Sequence, residues 1–175
     1  MKNLISIALI LIAATSCSSI KVSCDYDKEA GFAAYKTYAF TAEAMQLPVD
    51  DINRTRILKA VENELTAKGF TKSDQPDVLI DLNLKAQQVQ TASANTSYGA
   101  GYRYRWGGGF STTTIDVNTY TEGTLFVDMI DASRKQLIWQ GRAVGTINPD
   151  ASPQKREENI NYAVKQIFMK YPPKL

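Results

Sequence analysis

The sequence predicts a two-layer α+β domain in which two helices pack on one face of a largely antiparallel or mixed sheet. Three observations predict this fold. Two segments place apolar residues at the spacing of an amphipathic helix, at least four segments alternate apolar and polar residues, and the two kinds of segment do not alternate regularly along the chain. The third observation argues against a doubly wound nucleotide-binding fold. A length of 175 residues indicates one domain.

The first predicted strand covers residues 35–40, where aromatic and β-branched residues alternate with other types. The segment before it, from Ser18 to Phe32, is predicted to be a short polar lead. We therefore expect the single domain over residues 35–175, after a lead-in over residues 17–34.

A helix is predicted from Ile52 to Lys68, because its apolar residues recur every three or four positions. These residues are Ile57, Leu58, Val61 and Leu65. Asp50 or Asp51 is placed to cap the N-terminus of the helix. Gly69 follows at the position where a left-handed residue commonly ends a helix.

Three further strands are predicted over residues 78–84, 120–130 and 137–147, each with the alternation of a half-buried strand. Residues 131–136 form a turn between the last two strands, which therefore make a hairpin. The residues assigned to the buried faces are Val78, Ile80, Leu82, Leu84, Leu125, Val127, Met129, Leu137, Trp139 and Ala143.

A second helix is predicted at the end of the chain, with Ser152 as its cap and Pro153 as its first residue. Its apolar stripe consists of Ile160, Val164, Ile167, Phe168 and Tyr171. The prolines at positions 172 and 173 end it, because proline cannot continue a helix.

Residues 1–16 have the layout of a lipoprotein signal peptide. Lys2 is followed by an apolar run from Leu4 to Ala14 and by two small residues. The run is about eleven residues long, whereas a membrane-spanning helix needs about 20. The sequence therefore predicts a cleaved segment, not a permanent transmembrane anchor.

Cys17 directly follows this segment, and the stretch from Ala14 to Cys17 resembles the lipobox of bacterial lipoproteins. The resemblance implies acyl chains on Cys17 and a mature chain that begins there. Two or three acyl chains hold a protein stably at a membrane, whereas one chain binds marginally. A membrane is thus the first expected partner, with the protein in the cell envelope, at the outer membrane. Cys24 is then the second and remaining cysteine, with no other cysteine to pair with, and we interpret it as a half-buried residue.

A Gly- and Tyr-rich loop is predicted at about residues 91–118, where the composition changes abruptly. Its centre holds the residues of a candidate contact loop: Tyr98, Tyr102, Arg103, Tyr104, Arg105, Trp106 and Phe110. Aromatic faces stack on sugars or insert at a protein surface, and arginine pairs with anionic groups. The partner would be an envelope protein or glycan. The alternative is an elongated hairpin tip or flexible insertion whose aromatic residues fold back on the sheet.

Nucleic acid and phosphate binding are not expected. Arg103 and Arg105 are few for a nucleic-acid interface, and the net charge is only +2. The glycines near residues 99–109 match neither the dinucleotide spacing nor a P-loop.

The sequence predicts no catalytic residue, no cofactor and no metal site. The chain has no histidine, which excludes His-dependent triads and His-containing zinc sites. The alternative is an enzyme that acts on envelope glycans or lipids through surface carboxylates, which would need two groups that face each other across a cleft. The carboxylate pairs weighed for this role, and interpreted as surface residues, are Asp128 with Asp131, Asp77 with Asp81, and Glu157 with Glu158.

Six segments in order resemble the DUF4136 family of bacterial envelope lipoproteins over nearly all of the mature chain. They are residues 35–40, 67–70, 76–80, 122–128, 137–141 and 171–173. The resemblance implies a lipoprotein of unknown biochemical activity and supplies no catalytic residues. One departure is Phe40, where tryptophan is more usual. We expect a non-catalytic binding or organising module that is a monomer.

Overall fold

The computed structural model describes residues 20–98 and 111–173, which form a mixed sheet of six strands and three helices. The strands are β1 (Lys21–Tyr26), β2 (Thr37–Phe40), β3 (Thr71–Lys72), β4 (Val78–Tyr98), β5 (Ser111–Asp131) and β6 (Gln136–Ile147). The helices are α1 (Ala42–Met45), α2 (Asp51–Ala67) and α3 (Pro153–Phe168). The strand order is β1-β6-β5-β4-β2-β3. In this order β1, β6, β5 and β4 pair antiparallel with one another, and β2 pairs parallel with both β4 and β3. The predicted α+β class is confirmed.

The core lies between α2, α3 and one face of the sheet. Ile80 pairs with Met129, which pairs with Trp139, so these three side chains share that face. All three are fully buried. The helices contribute residues at the predicted spacing: Ile57, Val61, Leu65, Val164, Ile167 and Phe168. Burial of this apolar surface holds the two layers together.

Both long helices begin where their capping residues predict, and α2 also ends there, whereas α3 ends at Phe168, three residues before the predicted end. The Asp50 carboxylate accepts a hydrogen bond of 3.0 Å from the backbone N–H of Asn53. Ser152 Oγ accepts one of 3.2 Å from the N–H of Lys155 at the start of α3. Gly69 follows α2 with φ of 85°, the left-handed conformation that glycine adopts without strain.

The two long helices run side by side in the same direction. Arg56 in α2 lies 4.0 Å from Glu157 in α3. Beyond their C-terminal ends, Lys68 Nζ donates a hydrogen bond of 2.6 Å to the backbone carbonyl of Tyr171. The N-terminal ends of α2 and α3 therefore lie at the same end of the sheet.

Two predictions about the start of the domain were wrong. The segment predicted as a polar lead contains β1, which pairs along its whole length with β6. Only one face of this edge strand is covered, so Val22, Cys24 and Tyr26 are half-buried while the alternate residues are exposed. The next strand begins at Thr37, two residues later than predicted. Cys24 is half-buried, as predicted.

Leu137 was assigned to the core, and the structure places it on the surface. Leu137 is 49% exposed, whereas Ile138 is fully buried. Met129 pairs with Trp139 but the next residue, Ile130, pairs with Leu137, so Ile138 is the extra residue of a β-bulge. A bulge reverses the alternation beyond it, which a strict period of two does not anticipate.

Candidate functional site

Most of the predicted loop at residues 91–118 is a continuation of β4 and β5. The prediction of a loop was wrong there, and the paired strands agree with the elongated hairpin that the sequence analysis also considered. β4 and β5 pair continuously up to Tyr98 and Ser111, whereas β6 pairs with β5 only as far as Thr121. Residues 89–98 and 111–120 thus form a two-stranded ribbon beyond the sheet, which we call the arm. Its composition resembles a loop because threonine, serine and asparagine dominate it.

The arm carries an exposed apolar face. Ala92 pairs with Val117 and Ala94 pairs with Ile115, so these four side chains lie on the same side of the ribbon. Val117 is 60% exposed and Ile115 is 65% exposed. A two-stranded ribbon is at best marginally stable in water unless another surface covers it or a third strand is added.

The edge of β4 is also open along the arm. In the described part of the chain, β2 pairs with β4 only from Val78 to Ile80. Between Leu82 and Tyr98 the strand holds one charged residue, Lys85, and no proline. Charges and prolines are the usual protection of edge strands, so this edge can accept another strand.

The predicted contact residues Tyr102, Arg103, Tyr104, Arg105, Trp106 and Phe110 lie outside the described residues, as does Cys17. Tyr98 is the last residue of β4, at the far end of the arm. The structure therefore places Tyr98, the first residue of the predicted contact loop, at the tip of the arm.

A second feature is an open apolar cleft of about 740 Å³ between the sheet and the N-terminal halves of α2 and α3. Its apolar walls include Ile20, Val49, Ile57, Leu84, Ile160 and Ala163. Gly123 and Gly145 pair with each other across β5 and β6 and both line the cleft, and the side chains of Ile147 and Ile20 pack over them. The sequence analysis missed the cleft, because it depends on how far apart the helices lie.

Polar groups line only part of the cleft, and most of them already have partners. Lys155 donates to Glu158 at 3.1 Å, and Arg156 donates to the backbone carbonyls of Ala151 and Pro149. The described residues that line the cleft include no aspartate or glutamate. Since most of the polar groups are already paired and the remaining lining is largely apolar, an apolar group suits this cleft.

Asp131, which was interpreted as a surface residue of a turn, is the buried last residue of β5. Its carboxylate accepts hydrogen bonds from Tyr35 at 2.9 Å and from Arg134 Nε at 3.0 Å. It also accepts from the backbone and hydroxyl of Ser133. The backbone hydrogen bond from Arg134 and these other donors hold the pKa of Asp131 well below its usual range. The Asp131 carboxylate therefore holds the turn after β5 in place and connects it to Tyr35, just before β2.

Three other predicted carboxylates also bind their neighbours. Asp77 accepts from the backbone N–H groups of Lys36 and Thr37, each at 2.9 Å, and these bonds lower its pKa. Glu157 and Glu158 are exposed on α3, as predicted. Neither Asp77 nor this glutamate pair faces the cleft.

The structure instead brings Asp81 and Asp128 together. They are direct partners across β4 and β5, on the face of the sheet opposite the helices. Asp81 accepts a 2.6 Å hydrogen bond from Thr41, and Asp128 accepts a 2.8 Å hydrogen bond from Gln140. Burial raises the pKa of Asp128, and the nearby Asp81 charge raises it further, while the Gln140 bond opposes both. The pairing depends on strand register, so the sequence spacing did not reveal it.

Two polar atoms of the core have no hydrogen-bond partner among the described residues, Trp139 Nε1 and the Tyr171 hydroxyl. The two rings pack edge to face with centroids 5.4 Å apart. Burial raises the pKa of Tyr171 to about 12.

Metal ligands and membrane helices were also sought in the described residues. Over residues 20–98 and 111–173, no three His, Cys, Asp or Glu side chains are grouped to hold a metal ion. None of the helices described is both long and apolar enough to cross a membrane.

Comparisons with known proteins extend these observations. A family model described as "Domain of unknown function (DUF4136)" matches residues 22–173. A comparison with curated protein sequences finds no match.

Among solved structures, a PDZ domain protein from Parabacteroides distasonis is similar, with 19% identity and a TM-score of 0.57. The match covers 99% of this chain but only 41% of that one, so this chain spans about two fifths of its length. The PelC dodecamer from Paraburkholderia phytofirmans matches with 12% identity and a TM-score of 0.47, over 85% of this chain and 95% of that one. At these identities the first likeness supports the fold alone.

Proposed function

The chain belongs to the DUF4136 family, whose description assigns no activity, and we propose that it is a non-catalytic module of the bacterial cell envelope. In this proposal the protein is lipid-anchored and binds an envelope protein through its arm. The observation that carries the proposal is the arm itself, residues 89–98 and 111–120. It extends ten residue pairs beyond the sheet, with an exposed apolar face and an open strand edge.

The lipid anchor is supported by the residues before the domain. A short apolar run and the lipobox-like residues Ala14 to Cys17 precede β1. Lys21, at the start of β1, pairs with Val144, which pairs with Thr124 near the base of the arm. An anchor on Cys17 and the arm would therefore leave the domain at the same end. The partner would then lie at the surface of the same membrane, with outer-membrane attachment as the proposed location.

The arm favours a protein partner over a glycan. Strand addition uses the open backbone N–H and C=O groups of an edge, and alternate side chains then contact the added strand. On the arm these side chains include the apolar pairs Ala92–Val117 and Ala94–Ile115. The central residues of the predicted contact loop, with Trp106 among them, would add contacts at the tip.

An enzyme acting on envelope glycans or lipids remains the second candidate, and Asp81 with Asp128 is the pair that favours it. The two carboxylates face each other, and the raised pKa of Asp128 is a property that general acids share. They lie on an open sheet face, away from the cleft, which argues for the binding module instead. Loss of turnover in an Asp128→Asn variant would support the enzyme.

Photo-crosslinking in cells tests the proposed interaction. A photoreactive amino acid is placed at Val117 on the arm, at Trp106, and at Met169 as a matched control, since Met169 is apolar and 67% exposed but lies just after α3. We expect a discrete adduct with another protein from Val117 and Trp106 and none from Met169. Equal adducts from all three positions, or none, would contradict the proposal, and an adduct of two copies of this chain would replace the partner by self-association.

A second set of variants separates the apolar face from the tip. Val117→Lys places a charge on the apolar face of the arm, and Met169→Lys places the same charge at the control position. We expect the first substitution to remove the adduct formed at Trp106 and the second to preserve it.

A further inference from the structure

The cleft lies where the described chain begins. Ile20, the first described residue, lines the cleft together with Gly145. The Ile20 side chain packs over that glycine, since a Cβ placed on Gly145 would lie 3.3 Å from Ile20 Cγ1. Ile20, directly before β1, therefore forms part of one wall of the cleft.

Cys17 is three residues before Ile20. Three residues span at most about 11 Å when fully extended. Any group attached to Cys17 is thus held within a short distance of the cleft, and such tethering raises its effective concentration there without any added contact.

The lining of the cleft favours an uncharged hydrocarbon group. Its walls and floor are mainly apolar side chains and glycine backbone. Arg156, at the rim, already donates to two backbone carbonyls. The pKa of the nearby Asp50 carboxylate is lowered mainly by the backbone hydrogen bond from Asn53 and least by the Arg156 charge. Lys155 is paired with Glu158. A free fatty acid or a phospholipid would need a cationic partner for its head, whereas an acyl chain linked through glycerol to a cysteine carries no such charge.

We propose that the cleft takes one acyl chain of the lipidated Cys17 of the same chain, an inference that rests on the acylation proposed above. The domain then sits with the mouth of its cleft against the membrane, because the remaining acyl chains leave from the same point. Since one chain alone binds a membrane marginally and two bind stably, occupancy of the cleft adjusts how firmly the protein is held.

Thiol labelling of the full chain tests this inference. In a Cys24→Ser background, Ala163→Cys places a reporter in the cleft, and Arg142→Cys places a control on an exposed residue of β6 that does not line it. Each is made with Cys17 intact and with Cys17→Ser, in the same neutral detergent. Mass spectrometry of the intact protein first establishes whether Cys17 is acylated. The reagent is a charged maleimide, which does not enter micelles.

We expect the Ala163→Cys thiol to react about tenfold more slowly in the acylated protein than in the Cys17→Ser protein, because the acyl chain covers it. The Arg142→Cys thiol should react equally in both. Asn159→Cys, also in the lining, is a second reporter in case Ala163→Cys does not fold.

Equal rates at both cleft reporters in a protein of acylated mass would overturn the inference and leave the anchor intact. A mass without acyl groups would overturn the proposed anchor, and the inference with it. Slow labelling in both the acylated and the Cys17→Ser protein would show that something other than the acyl chain covers the reporter, which also overturns the inference.

Discussion

Asp81 and Asp128 lie directly opposite each other in the ladder between β4 and β5, each accepting one hydrogen bond from a neutral side chain. Like charges in directly opposed positions destabilise a sheet. The domain therefore carries an unfavourable pair in its longest ladder, three residues from the start of β4.

Replacing one of these carboxylates should stabilise the protein. We expect Asp128→Asn to raise the free energy of unfolding at pH 7 by about 0.5 kcal/mol, since the amide oxygen still accepts from Gln140. The pKa of Asp128 is raised in the folded protein, so wild-type Asp128 becomes neutral as the pH falls and the advantage of the variant is lost there. Urea unfolding at pH 7 and pH 4 measures both effects. A variant less stable than wild type at pH 7 would contradict this prediction.

Asp131 should behave in the opposite way. Its pKa is lowered in the folded protein, so the stability it contributes is present above the unfolded value of about 3.9 and is lost as the pH falls below it. We expect Asp131→Asn to cost about 2 kcal/mol at pH 7, because it weakens charged hydrogen bonds to Tyr35 and Arg134. Urea unfolding from pH 7 to pH 2 should show the cost shrinking. A cost independent of pH would assign it to packing.

Trp139 is the largest fully buried side chain of the core. We expect Trp139→Ala to lower the free energy of unfolding by about 3 to 5 kcal/mol, because it removes apolar contacts and leaves a cavity. Tyr162→Ala, at a position 42% exposed on α3, is the control and should cost about 0.5 kcal/mol or less. Denaturant midpoints of the two variants decide the prediction, which fails if the tryptophan variant keeps the wild-type midpoint.

A substitution at Tyr171 tests how much its buried hydroxyl lowers the free energy of unfolding. Burial raises its pKa to about 12, so the stability linked to its neutral form is lost as the pH rises from about 10 to 12. Tyr171→Phe removes a buried hydroxyl that has no partner among the described residues, and we expect a gain of about 1 kcal/mol at pH 8. The gain should be larger at pH 11, which paired unfolding measurements at the two pH values establish. A loss at pH 8 would indicate that the hydroxyl has a partner.

The arm should be dispensable for folding. Replacing residues 91–118 by Asn-Gly joins the directly opposed residues Gln90 and Thr119 by a two-residue hairpin turn. Because the described side chains removed are exposed, we expect the melting temperature to change by no more than about 4 °C. Thermal unfolding followed by circular dichroism gives the result. A larger loss would show that the arm packs on the domain, as the alternative of a folded-back insertion requires.

Much of the fold could be predicted from local patterns. The long helices, their caps and the β5–β6 hairpin each depend on residues close in sequence. β1 was missed although Val22, Cys24 and Tyr26 alternate with polar residues, because the composition of that segment resembles a lead. The bulge at Ile138 was not predictable, since one extra residue within a run of apolar residues does not change the hydrophobic pattern of the sequence.

The candidate site depends more on long-range structure. The Thr- and Ser-rich composition of the arm conceals a ladder that only the paired strand reveals. Asp81 and Asp128 face each other because of the register between β4 and β5, and the cleft depends on the distance between the helices. The sequence spacing paired Asp128 with Asp131, yet only Asp131 is part of a buried network.

The length of the arm determines how far from the domain its tip can make contacts. Ten residues of strand extend about 33 Å, which is close to the hydrocarbon thickness of a bilayer. A domain tethered at one point of a membrane would sweep a disc of that radius with the tip of its arm. How often it meets its partner would then depend on how many partner molecules lie in that area of membrane, so the surface density of the partner, more than its total amount in the cell, would govern occupancy.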